Sequence, residues 1–351
     1  MTRPNSGRVA PEQGRTSGAP APGTTGRDSS AGSPGEPGAA RIAVDLLGGD
    51  HAPAVVVDGA LRACQADPAL HLLLVGPVEA AGVVLAAFAA ADRARVRILA
   101  GPGSPPTHPA NAGWIESGVR AAVLAVANGE ADAAISAGST GATVTSAALG
   151  LGRWPGVRRP ALAAVLPTAT GRIVLLDIGA SVDPDEHTLA THARLGAAYA
   201  STVHGLTNPR IGLLTIGTER GKGDKLRRAM PAVLAGLDLP AGGRYVGLIE
   251  GNDVVTGGAA DVVVTDGFTG NVLLKGLETA YALIGPPHDG PDVPPRAAIL
   301  LGVSGTVVVC HGAATGPDLA AGIALAADLH RRAAVRAIAA LMDDPEVIDE
   351  Q

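Results

Sequence analysis

Only three lysines stand among the 351 residues, against 24 arginines, and all three fall in glycine-bearing clusters. Lys222 and Lys225 lie in Thr218-Glu219-Arg220-Gly221-Lys222-Gly223-Asp224-Lys225. Lys275 closes Asp266-Gly267-Phe268-Thr269-Gly270-Asn271-Val272-Leu273-Leu274-Lys275. A composition rich in alanine and arginine replaces most surface lysines with arginine at little cost. Where lysine stays, a compact ammonium on a flexible stem can fill a role that arginine's planar fork does not. Chance survival is the alternative. Clustering beside glycines favours an anion site, with phosphate the first candidate.

Other polar residues gather where apolar runs end. Asp45-Leu46-Leu47-Gly48-Gly49-Asp50-His51, Ser136-Ala137-Gly138-Ser139-Thr140-Gly141, Asp177-Ile178-Gly179-Ala180, Ile216-Gly217-Thr218 and Val309-Cys310-His311-Gly312 each follow such a run, as does the segment from Asp266 to Asn271. Glycine lets backbone N–H groups approach an anion, and a following helix N-terminus adds partial positive charge. Ser139-Thr140-Gly141 and Gly270-Asn271 both precede apolar helical patterns, so each can cradle a phosphate. His51 and His311 stand in the loops as candidate acids. Asp45, Asp50, Asp177 and Asp266 are strand-end carboxylates that bind substrate or cap turns and helices. No P-loop, no Gly-x-Gly-x-x-Gly after the first strand, no Gly-x-Ser-x-Gly elbow and no zinc-ligand spacing occurs. Neither a metal nor a nucleotide cofactor is expected.

The elements that must position these loops alternate in type. Strands are predicted at Ile42–Asp45, His71–Val75, Arg95–Leu99, Ala133–Ser136, Ala161–Leu166, Ile173–Asp177, Arg210–Thr215, Tyr245–Ile249, Val262–Thr265 and Thr306–Cys310. Helices are predicted at Pro53–Ala66, Glu79–Ala90, Glu116–Asn128, Gly141–Leu151, Leu189–Val203 and Leu319–Met342. Such alternation argues for βαβ units and a mostly parallel sheet. In open sheets of this kind ligands bind beyond the carboxyl ends of the strands, so the six loops are expected to converge on one edge. Residues 285–297 form a proline-rich loop that cannot be helical.

Composition sets the bounds. Hydrophobic residues make up 46% and aromatics only 2%, so the core is built from small aliphatics, as in parallel sheets between helices. A net charge of −6 gives no overall basic surface for nucleic acid or anionic lipid. Cys64 and Cys310 are too few for a disulfide framework and suit a reducing, cytoplasmic setting. No apolar run reaches the roughly 18 residues of a membrane span. Residues 1–40 hold 8 Gly, 6 Pro and 9 Ser or Thr and read as a disordered tail. A single domain is expected over residues 41–345.

Several of these segments carry a family resemblance. The run Ile42-Ala43-Val44-Asp45-Leu46-Leu47-Gly48-Gly49-Asp50-His51-Ala52-Pro53 resembles the opening of bacterial phosphate acyltransferases of the PlsX family. Ser136–Ala142, Leu151–Leu162, Gly221-Lys222-Gly223, Glu250-Gly251, Asp266–Lys275 and His311-Gly312 are similar to that family in the same order. The resemblance implies an α/β/α sandwich like that of isopropylmalate dehydrogenases, usually a homodimer. It implies transfer of an acyl group from acyl-acyl carrier protein to inorganic phosphate, for phospholipid synthesis, with a membrane glycerol-phosphate acyltransferase as the next partner. Such a site must hold two anionic partners together, which suits lysines and backbone N–H groups. Phosphate positioning then falls to Lys222, Lys275 and the Ser139–Gly141 and Gly270–Asn271 loops. His51 or His311 is the acid or oxyanion donor.

The chain departs from the family at Ser139, Ser181 and Ser304, where the resemblance leads one to expect asparagine. Gly103-Ser104-Pro105-Pro106-Thr107-His108-Pro109 replaces a basic segment, and a proline-rich stretch replaces a long helical hairpin associated with the membrane and carrier side. Three functions therefore stay open: the carrier-protein-dependent acyltransferase, a relative using another thioester such as acyl-CoA, and a non-catalytic homologue that binds phosphate or acyl chains.

Overall fold

The computed structural model describes residues 38–77, 79, 81–101, 118–219, 221–287 and 297–343. The glycine- and proline-rich tail to residue 37, His108 with its neighbours, and 288–296 of the proline-rich stretch lie outside the described residues. In chain order the elements are β1 (Ala40–Asp45), α1 (Ala54–Ala66), β2 (Leu70–Gly76), α2 (Ala81–Ala87), α3 (Ala90–Arg93), β3 (Val96–Ala100), α4 (Gly118–Ala127), β4 (Ala133–Ser136), α5 (Thr140–Gly150), β5 (Ala161–Thr168) and β6 (Gly171–Leu176). There follow α6 (Glu186–His204), β7 (Arg210–Leu214), α7 (Lys225–Ala235), β8 (Arg244–Ile249), α8 (Gly251–Thr256), β9 (Val262–Val264), α9 (Gly267–Ile284), β10 (Ala297–Leu301), β11 (Thr306–Cys310), α10 (Gly316–Arg331) and α11 (Ala334–Met342).

The strands form one sheet in the order β3-β2-β1-β4-β11-β10-β5-β6-β9-β7-β8. Its central members β4, β11 and β10 are buried along their whole length, as strands covered on both faces must be. Alternation decides which layer each residue meets. Ile42 and Val44 of β1 join a core shared with α1, α6, α7 and α10, whereas Ala43 packs with Ala122 and Val123 of α4. On that second face, Leu162 and Ala164 of β5 pack with Ala147 of α5, and Leu273 and Leu274 of α9 cover them. The result is a three-layer α/β/α sandwich.

Strand direction differs from the expectation of six loops at one edge. Pairing is antiparallel between β11 and β10, β10 and β5, and β5 and β6, and parallel elsewhere. Two parallel halves therefore run in opposite senses. The carboxyl ends of β1, β4 and β11 point one way, and those of β6, β9 and β7 point the other.

Local boundaries also shift. Ala297, read as the end of the proline-rich loop, opens β10. The pattern Leu319–Met342 is two helices, because Ala333 takes a left-handed conformation at φ 49° between them. Gly270-Asn271 is no loop but lies within the first two turns of α9, which starts at Gly267 behind the cap Asp266.

Candidate active site

The loop after β1 is built around a buried carboxylate. Asp45 accepts a hydrogen bond from the Ser136 hydroxyl at 2.7 Å and from the Leu47 N–H at 3.3 Å, tying the ends of β1 and β4 together. Burial raises its pKa above the usual carboxylate range, against the pull of these two bonds. A Cβ on Gly48 would meet Asp45 Oδ2 and Ser136 Oγ, each at 2.8 Å, so only glycine lets the chain pass here. Gly49, at φ 112°, lies against the Gly312 carbonyl, and the Asp50 N–H donates to that oxygen at 2.8 Å. The β1 and β11 loops are thus clamped together. Asp50 and His51 are exposed on the outer side of the clamp.

The loop after β6 surrounds Asp177, which is fully buried. Its carboxylate accepts backbone N–H groups from Leu162, Gly179, Ala180 and Ser181 at 2.5–3.1 Å. Those four donors occupy the carboxylate and fold the loop back over the sheet. The first turn of α9 docks on this loop. A Cβ at Gly270 would stand 2.0 Å from the Asp177 carbonyl oxygen, and Asn271 donates from Nδ2 to the Ile178 carbonyl at 3.0 Å. A Cβ on Gly179 would be 3.4 Å from Asn271 Nδ2 and 3.8 Å from the Thr140 methyl. The first turns of α5 and α9 therefore approach each other across this loop. Ser139 caps α5, its hydroxyl accepting from the Ala142 N–H at 3.4 Å.

A cavity of about 180 Å³ opens between these pieces, floored by β5, β10 and β11 and walled by α9. Gly138, Thr140, Asn271, Lys275, His311 and Gly312 line its polar part. Lys275 Nζ and His311 Nε2 stand 2.6 Å apart. At that distance the two nitrogens are hydrogen-bonded, the Lys275 ammonium donating to Nε2, and its other N–H groups can donate to an anion at the edge of the cavity. The Ala313 N–H lies 3.2 Å from Nδ1 on the other side of the ring. Glu278 Oε2 lies 4.0 Å from the same Nε2. The remaining lining is apolar, from Leu162, Ala164, Leu166, Ile178, Leu274 and Ala298 among others. Cys310 borders the cavity too, but burial pushes its thiol up to about 12, which disqualifies it as a nucleophile.

Lys222 and Asp266 belong elsewhere. Lys222 and Lys225 are exposed in the turn after β7 and at the start of α7. Asp266 caps α9, accepting the Thr269 N–H at 2.8 Å and its hydroxyl at 2.7 Å, and pairs with the buried Arg227. Burial alone would raise the Asp266 pKa, but the Thr269 and Arg227 contacts outweigh it and hold the carboxyl below its usual range. Arg227 also reaches Asp224 at 2.7 Å and Thr265 Oγ1 at 2.9 Å, locking the caps of α7 and α9 together.

The structure thus gathers Lys275, His311, Asn271, Gly138 and Thr140 in one cavity, backs them with Asp45, Gly48, Gly49 and Asp177, and leaves His51 and Lys222 outside its lining. Glu278, Tyr281 and Arg227 were not singled out from sequence. For the first two a signal existed: continuing the helical period from Leu274 brings positions 278 and 281, four and seven residues on, to the same face. Among the described residues, no cluster of three or more His, Cys, Asp or Glu is placed to hold a metal ion, and no helix is long and apolar enough to cross a membrane.

Comparison with known proteins bears on the fold and the family. The fold matches solved structures of a branched-chain phosphotransacylase from Enterococcus faecalis V583 (15% identity, TM-score 0.56, 83% of this chain and 99% of that one) and EutD phosphotransacetylase from Staphylococcus aureus (14%, 0.54, 86% and 95%). It also matches 4-hydroxythreonine-4-phosphate dehydrogenase from Klebsiella pneumoniae (14%, 0.51, 85% and 100%). At these identities the likeness speaks for the fold alone. In sequence, the family described as "Fatty acid synthesis protein" matches residues 40–286. Phosphate acyltransferase of Thermobifida fusca is 41% identical over 316 residues, 82% of this chain and 87% of that protein. That of Pseudomonas syringae pv. tomato is 38% identical over 304 residues, 78% and 88%. Homology over this length makes the chain a member of the phosphate acyltransferase family, an acyltransferase enzyme.

Proposed function

We propose that the enzyme moves a fatty acyl group from acyl-acyl carrier protein to inorganic phosphate, releasing acyl phosphate and the free carrier thiol. The observation that carries this is the hydrogen-bonded pair Lys275 and His311, Nζ to Nε2 at 2.6 Å, set at the edge of an otherwise apolar cavity. A phosphate oxygen accepts from the remaining N–H groups of the Lys275 ammonium, and the apolar remainder suits an alkyl chain.

In this reading a phosphate oxygen bound by Lys275 attacks the thioester carbonyl carbon. The C–O bond forms, negative charge collects on the carbonyl oxygen, and the C–S bond then breaks. Lys275 offsets the repulsion between phosphate and an acidic carrier. His311, rather than the more distant His51, donates to the oxyanion or protonates the departing thiolate. No covalent enzyme intermediate is needed, in keeping with the buried and protonated Cys310. Asn271 and Thr140 close the site at the meeting of α5 and α9. Lys222 contributes long-range charge. The enzyme works in the cytoplasm as a homodimer and passes acyl phosphate to a membrane glycerol-phosphate acyltransferase for phospholipid synthesis.

The test is phosphate-dependent thiol release by the purified full chain, with acyl-acyl carrier protein and acyl-CoA as parallel donors. The expected result is saturable turnover with the carrier-bound donor, and acyl phosphate recovered as its hydroxamate. Turnover with acyl-CoA alone would reassign the donor. Absence of phosphate-dependent release with both would overturn the reading.

A further inference from the structure

We propose that Glu278 is a positioning residue for the Lys275–His311 pair: its carboxylate holds the two bases together at the cavity edge and limits how tightly phosphate settles on them. The inference rests on the acyl-transfer reading of this cavity and adds to it a residue that acts through the pair.

Lys275 and Glu278 stand three residues apart on α9, which makes them neighbours on its surface, and both border the cavity. Among the described residues that line it, Glu278 is the one carboxylate, and Lys275 and His311 are the two basic side chains. Its Oε2 lies 4.0 Å from His311 Nε2, the nitrogen that Lys275 Nζ meets at 2.6 Å. That is too long for a hydrogen bond, so the carboxylate acts on the pair by charge. The Glu278 side chain is 20% exposed, against 36% for His311. A carboxylate turned into a largely apolar lining needs a cation beside it, and the base pair at the cavity edge supplies one.

The same charge works in two directions. It keeps the flexible ammonium and the imidazole at the cavity edge, where the thioester has to meet phosphate. It also stands against an incoming anion, because phosphate must share Lys275 with a carboxylate one turn away. Phosphate therefore binds less tightly than it would to the bare pair, and less of the lysine's interaction is used up in the ground state. Loss of the carboxylate should tighten phosphate binding while slowing turnover, two changes of opposite sense. Loss of a residue that only packed α9 would weaken both.

The experiment compares the full chain with Glu278→Gln, Glu278→Asp, His311→Ala and the double variant of Glu278→Gln with His311→Ala. Initial rates of thiol release against phosphate concentration should show KM for phosphate about threefold lower in Glu278→Gln, as one charge leaves the anion site. Its kcat should fall about tenfold, a part of what acid catalysis contributes. Glu278→Asp keeps the charge, so KM should stay at the wild-type value and part of kcat should return. The double variant should be no slower than His311→Ala, because Glu278 acts through that ring. Isothermal titration with inorganic phosphate needs no turnover, and there Glu278→Gln should again bind about threefold more tightly than wild type. If titration shows this but no thioester gives phosphate-dependent release, the charge assignment stands and the transfer reading fails. A titration in which Glu278→Gln binds phosphate no more tightly overturns the proposal whether or not transfer occurs. So does a Glu278→Gln enzyme with wild-type kcat, or one whose loss multiplies with that of His311→Ala.

Discussion

Replacing Lys275 by alanine removes the ammonium that is hydrogen-bonded to His311 at 2.6 Å, and the size of the loss can be bounded beforehand. A hydrogen bond to a charged group contributes roughly 1.5–3 kcal/mol. Lys275 is exposed, so solvent and salt screen its charge and the lower end of that range applies. About 1.5 kcal/mol is about tenfold in rate. Lys275→Ala should therefore lower kcat/KM for phosphate about tenfold, with an unchanged circular dichroism spectrum. Lys275→Arg should recover little of it, because a planar fork cannot place one nitrogen 2.6 Å from His311 without displacing the ring. His311→Ala should cost a similar factor. The double variant should lose less than the product of the single losses, since both groups serve one anion. Lys222→Ala is the contrast: exposed in the turn after β7, it should change kcat/KM less than Lys275→Ala. The assay is initial rate against phosphate concentration at two ionic strengths. Wild-type kinetics in a folded Lys275→Ala protein would refute the assignment of this lysine to phosphate.

Gly270→Ala would place a methyl group 2.0 Å from the Asp177 carbonyl oxygen. It should destabilise the protein by about 1–3 kcal/mol, read as a lowered Tm, and should weaken turnover by displacing Asn271. Burial, followed by the nearby Arg172 and Arg332, lowers the His204 pKa to about 4. Between its unfolded value near 6.5 and that value, the unfolded chain takes up a proton that the folded one refuses, so stability should fall as pH drops through this window. His204→Gln should flatten that slope in a Tm-against-pH series. With a net charge of −6, the purified protein should sediment only weakly with phosphatidylglycerol vesicles at low salt, and strong salt-sensitive binding would contradict this.

Much of the sheet was legible in the sequence because its strands are short apolar runs ending at glycine or aspartate. The reversal of direction at its centre was not read from the sequence, because the alternation of strands and helices hides it. Thr168 pairs with Gly171, leaving two residues between β5 and β6, too few for a parallel crossover. β10 escaped notice because Ala297–Leu301 is buried on both faces and shows no alternation, directly after a proline-rich run. The break between α10 and α11 carries no glycine or proline, and Ala333 adopts its left-handed backbone without any breaker residue to announce it. At the site, residue type found Lys275 and His311 separately. Their contact depends on α9 crossing back over the sheet, a tertiary fact. Residue type also selected Lys222, Asp50 and His51, which local glycine content favours equally but which the fold turns outward.

The same reversal has a consequence for how the chain folds. β10 and β11, formed near the end of the chain, fill the place between β4 and β5, whose residues precede them by more than a hundred positions. Until they arrive, β4 and β5 each present an unpaired edge of backbone donors and acceptors, the feature that drives edge-to-edge association. Closing so long a loop is slow. The nascent chain must then wait, with its two parallel halves unjoined, until residues 297–310 emerge. A fragment ending at residue 286, where the match to the family stops, would keep both edges open, lacking the hairpin that joins the two halves into one sheet.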